Sequence, residues 1–111
     1  MKTFTGQYCA QGDLNIYACD EIPEGLTELK PENGVHILAH SETGHHHVID
    51  GNTVRLFKQD EFVSFMEVAK PTPLRHLRTV DRHETIEIPP QKYKLVRQRE
   101  HIADGFRIAA D

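Results

Sequence analysis

His40-Ser41-Glu42-Thr43-Gly44-His45-His46-His47 is the stretch on which the reading of this chain turns. Val35 to His40 and His45 to Asp50 flank it as expected strands, and Ser41 to Gly44 then form a four-residue hairpin loop, a common length. In that register His40 and His45 are cross-strand neighbours with Cβ atoms about 5 Å apart. Side chains alternate along a strand, so His45 and His47 share a face and His46 points the other way. One hairpin is thus expected to present His40, His45 and His47 to one side. Imidazole is the commonest protein ligand for borderline transition metals.

Working outward, short polar–apolar alternations are separated by turn signals. Asp13 to Ala18 alternates after the Gln11-Gly12 turn, and Glu21 to Gly25 reads as a loop. Leu26 to Lys30 suits a single helical turn. Asn33-Gly34 is a hairpin-type signal immediately before Val35, and Asp50-Gly51-Asn52 turns the chain into Thr53 to Phe57. Phe62 to Ala69 fits a buried strand better than a helix, given its Phe and Val content. Pro71 and Pro73 end it, residues 74–82 read as a loop or irregular strand, and Thr85 to Ile88 precedes Pro89-Pro90. Tyr93 to Arg99 alternates again, and Phe106 to Ala109 is placed to close a sheet. About eight short antiparallel strands over 111 residues make one all-β domain, 1–111, a small barrel or sandwich, the class that includes jelly-roll and cupin folds.

Composition narrows the function classes. The net charge of −4 is uneven: residues 1–69 carry four Lys/Arg and eleven Asp/Glu, residues 70–111 nine and six. Arg75, Arg78, Arg82, Lys92, Lys94, Arg97 and Arg99 would form the core of any anion patch. The overall negative charge opposes non-specific phosphate binding, so nucleic acid is not an expected partner. No apolar run nears the length of a membrane span, and the N-terminus lacks the apolar core of a signal peptide. A cytoplasmic protein with Cys9 and Cys19 as reduced thiols is expected. No phosphate-binding Gly-rich loop, nucleophile elbow or dinucleotide fingerprint occurs.

Gln11-Gly12-Asp13, Ile22-Pro23, Leu38 to His47, Val54-Arg55-Leu56, Leu74-Arg75-His76, His83 to Pro90, Val96 to Glu100 and Gly105 together resemble a family of small uncharacterised proteins from bacteria, phages and mobile elements. That family resembles cupin-like barrels, which hold metals on inward-facing strand residues. The resemblance implies a fold and a metal site and supplies no substrate. This chain departs from the pattern in separating His76 and His83 by six residues, where the family usually has His-Glu-Glu-His.

The expected metal ligands are therefore His45 and His47, with His83 and His76 from the second half and His40 as a ligand or a hydrogen-bonding neighbour. Glu42 is the candidate general base on metal-bound water, its bland alternative being a solvated loop carboxylate; Glu84 has the same two readings. His36 reads as a core or a surface histidine. Tyr93, Leu95, Arg97 and Arg99 share a face, which would allow an arginine near the metal as an anion clamp. A divalent transition metal is expected, zinc first, with Fe, Ni, Mn or Cu as alternatives. A small-molecule ligand and a homodimer that covers edge strands complete the expectation. The alternative is a non-enzymatic assembly module of phage or mobile-element origin with a structural metal.

Overall fold

The computed structural model describes residues 2–39, 46–77 and 85–97. Within them the chain forms eleven short strands and no helix: β1 Lys2–Thr3, β2 Tyr8–Gln11, β3 Leu14–Cys19, β4 Thr27–Leu29, β5 Val35–Ala39, β6 His46–Asp50, β7 Val54–Lys58, β8 Val63–Val68, β9 Thr72–Leu77, β10 Ile86–Ile88 and β11 Lys92–Arg97. They make two sheets, in the orders β1-β10-β9-β6-β5 and β2-β3-β11-β8-β7-β4. Pairing is antiparallel except between β1 and β10, which run parallel. Hairpins β5–β6, β7–β8 and β9–β10 fall in alternate sheets, and the chain crosses from one layer to the other after β1, β4, β6, β8 and β10.

The all-β expectation holds, and two local readings change. Leu26 to Lys30 supplies strand β4 rather than a helical turn, because it pairs along β7. The stretch read as irregular from residue 74 supplies most of β9, a regular strand paired with β6 and β10. Pro73 is tolerated there because the pairing with β6 begins only at Leu74. Phe62 to Ala69 is a strand, as its composition suggested.

The turns follow their chemistry. Asn33 and Gly34 both have positive φ, 53° and 82°, and Glu32 bridges Val35: a two-residue type I′ loop. Gln11 pairs with Leu14 across Gly12 and Asp13, another two-residue loop, with Gly12 at φ 59°.

One core joins the layers. Leu14, Ile16, Leu56, Met66, Tyr93 and Leu95 from the six-stranded sheet meet Phe4, Ile49, Leu74, Ile86 and Ile88 from the other. The Phe4 and Tyr93 rings meet edge to face, centroids 5.1 Å apart. His36 is a core histidine: it is buried, and its Nε2 bonds the Val54 carbonyl at 3.0 Å, linking β5 to β7.

Register also fixes which side chains line the inner face where β2 ends and β3 begins. Gln11 pairs with Leu14, Leu14 with Arg97, and the Arg97 N–H donates to the Phe62 carbonyl at 2.8 Å. These four form the last inward-facing row of that sheet. In the facing sheet, His47 lies on the Ile49 side of β6 and His76 on the Leu74 side of β9, so both point inward as well.

Candidate functional site

His47 stands at the centre of this polar end. It has no exposed surface. Gln11 donates Nε2–H to the Leu74 carbonyl at 2.9 Å, which turns its Oε1 toward His47 Nδ1, 2.8 Å away. An oxygen acceptor at that distance calls for a proton on Nδ1. His47 Nε2 then faces Asp13 Oδ1 at 3.0 Å. The His47 hydrogen bond holds the Asp13 carboxyl below its ordinary value, against desolvation, and the Arg97 charge adds to the effect. The site thus joins the loop between β2 and β3 in one sheet to β6 and β9 in the other.

His76 pairs directly across from His47, and the two rings stack with centroids 4.0 Å apart and planes 12° apart. Nearly parallel stacked rings keep their in-plane lone pairs in two separate, nearly parallel planes. The stack therefore places His76 against the face of His47 rather than aiming both at a point in front. Gly12 makes room for it: a Cβ there would stand 2.7 Å from His76 Cε1 and 3.3 Å from His47 Cε1.

His46 alternates away from His47 on β6, as expected of adjacent strand residues, and is half-buried. The hairpin register expected from the sequence holds from Val35↔Asp50 to Ile37↔Val48 and then shifts by one residue, with Ala39 opposite His47. This β-bulge changes the pairing on which the His40–His45 juxtaposition was based. His40, His45, His83, Glu42 and Glu84 themselves lie outside the described residues. Among the described residues, no group of three or more His, Cys, Asp or Glu is gathered so as to hold a metal. Cys9 and Cys19 are separate thiols, and burial raises the pKa of Cys19.

Gln11 and Asp13 are the partners that sequence reasoning missed as site residues. They are 36 and 34 residues from His47, and nothing local ties them to it. The signal available was the Gln11-Gly12-Asp13 triplet itself, two polar side chains around a glycine, which reads equally as an ordinary turn.

Residues 10–98 match the model of a family described as a domain of unknown function (DUF8820). No curated protein and no solved structure matches the chain.

Proposed function

The chain belongs to that family, and we propose that it is a small cupin-like metal-binding protein whose histidine-bearing end takes a divalent transition metal, zinc in first place. The observation that carries this reading is the orientation of His47. A metal-bound histidine typically donates its other ring N–H to an oxygen that fixes tautomer and ring orientation. Gln11, itself anchored on the Leu74 carbonyl, does this at Nδ1 and leaves Nε2 facing a carboxylate. Bonds of about 2.0–2.2 Å to nitrogen and oxygen set tetrahedral neighbours about 3.4 Å apart. The Nε2–Oδ1 separation of 3.0 Å is within a small rearrangement of that. His40, His45 and His83 are the proposed sources of the remaining ligands, and His76 would join them by rotating out of its stack on His47. With one coordination position open, such a site would bind or convert a small molecule, with Glu42 as its candidate base.

Elemental analysis of the full chain, purified without a histidine tag, tests the proposal. About one metal per chain is expected, falling sharply in Asp13→Asn and in the double variant His45→Ala, His47→Ala. Wild-type protein that holds none after exposure to zinc and gel filtration overturns it.

One observation favours the alternative of a non-enzymatic assembly module: His47 is fully buried with both nitrogens facing protein oxygens, which by itself is a structural brace. In a module with a structural metal, a chelator would lower thermal stability in step with metal loss, and no added ligand would change the metal's spectroscopic signature after cobalt substitution.

A further inference from the structure

A cavity of about 270 Å³ opens between the sheets beside this end, and none of its lining belongs to the His47 cluster. Its floor is apolar: Leu14, Leu29, Ile37, Leu38, Leu56 and Leu95. Its polar wall comes from three inward positions of the six-stranded sheet. Lys58 follows Leu56 by two residues on β7, Ser64 lies directly opposite Lys58 on β8, and Arg97 follows Leu95 by two on β11. The same alternation that buries Leu56 and Leu95 puts both cations on that face, Lys58 exposed at the rim and Arg97 half-buried.

Arg97 is half-buried, and its guanidinium lies 5.7 Å from the Phe62 ring centroid. Among the described residues it makes no ion pair. Asp13, the acid that feels its charge, is committed to His47. Asp60 and Glu61 also border the cavity, but they sit in the turn between β7 and β8, and Asp60 Oδ1 already accepts the N–H groups of Phe62 and Val63 at 2.8 and 2.9 Å. A planar guanidinium at the mouth of a leucine-floored cavity matches a carboxylate with an apolar body. In proportion to an apolar cavity of about 150 Å³ that accepts benzene, this one takes a body of about ten non-hydrogen atoms.

We propose that this cavity is a binding site for a small apolar monocarboxylate, with Arg97 holding the carboxylate, Lys58 and Ser64 beside it, and the leucine floor taking the hydrocarbon. The site is independent of the metal proposed above, so the test is run with chelator present, and a protein that holds no metal leaves it intact.

Octanoate, octanol and octylamine serve as probes, titrated into the full chain below their micellar range and followed by calorimetry and by chemical-shift changes. Octanoate is expected to bind saturably at one site, at least tenfold more tightly than octanol and more tightly still than octylamine, with its advantage shrinking as salt is raised. Arg97→Leu should weaken octanoate at least tenfold and leave octanol within about twofold, and Arg97→Lys should recover part of the loss. Ser64→Leu, which fills the cavity from a half-buried position, should abolish binding of octanoate and octanol and serves if Arg97→Leu does not fold. No saturable octanoate binding, equal affinity for the carboxylate and the amine, or unchanged octanoate affinity in a folded Arg97 or Ser64 variant overturns the proposal.

Discussion

His47 and His76 face each other across the β6–β9 pair with their imidazole planes only 12° apart and their centroids 4.0 Å apart. Gly12, on a turn of the opposite sheet, closes over both rings. The stack therefore depends on a backbone position that holds no side chain, and this makes it testable from three sides.

Gly12→Ala is expected to destabilise the fold by at least about 1–2 kcal/mol. The left-handed φ of 59° alone costs an L-residue about that much, and the new methyl must also displace the His76 ring. Urea denaturation should show a lower midpoint with an unchanged slope, and the His47 and His76 ring resonances should shift while those of His36 stay in place.

Replacing His47 by leucine keeps the volume near that of the ring but removes both ring nitrogens. Gln11 Oε1 and Asp13 Oδ1 then lose their partner; Asp13 is partly exposed and can turn to water, but the buried Gln11 acceptor left in this way costs about 1–3 kcal/mol. A total loss of about 2–4 kcal/mol is expected, read from equilibrium denaturation. A loss below about 0.5 kcal/mol would mean that Gln11 and Asp13 find other donors.

Acid should act through Asp13. Its carboxyl titrates lower in the fold than in the unfolded chain, chiefly because of the His47 hydrogen bond. Its stabilisation is therefore complete above the unfolded carboxylate range and is lost as pH falls through the lower folded value. The stability gap between wild type and Asp13→Asn should be largest near neutrality and narrow below about pH 4. A gap that stays constant down to pH 2 would contradict the pairing.

Base should act through Tyr93. Burial raises its phenol, whose hydroxyl donates to the Pro89 carbonyl at 2.6 Å and accepts from Gln91 Nε2 at 3.0 Å. The raised value means that Tyr93 stabilises the fold below the unfolded tyrosine range, about pH 10, and that this is lost as pH rises through the higher folded value. Absorbance near 295 nm should show Tyr93 ionising above the ordinary tyrosine range. Tyr93→Phe should cost about 1 kcal/mol at neutral pH and remove the late step.

Much of the fold was legible because its signals are local. Asn33-Gly34 and Gln11-Gly12-Asp13 specify tight turns through positive φ at Asn33, Gly34 and Gly12. Leu56/Lys58, Leu95/Arg97 and His46/His47 sort to their faces by the period of two that any strand imposes. β1, β2 and β4 do not read as strands, and most of β9 reads as a loop or irregular strand. The first three are two to four residues long and β9 carries charged or polar interruptions, so none repeats long enough to show a pattern.

The sequence by itself determined that His47 would lie on the inward face of a strand, since alternation along β6 depends only on neighbours in the chain. It did not determine what His47 would meet there. Gln11, Asp13 and His76 reach it through the pairing of β9 with β6 and the closure of one sheet over the other. Those contacts join residues tens of positions apart, and burial of the shared core selects them. The β-bulge at Ala39 belongs to the same class: a one-residue shift changes which side chains oppose each other, and turn composition alone carries no trace of it.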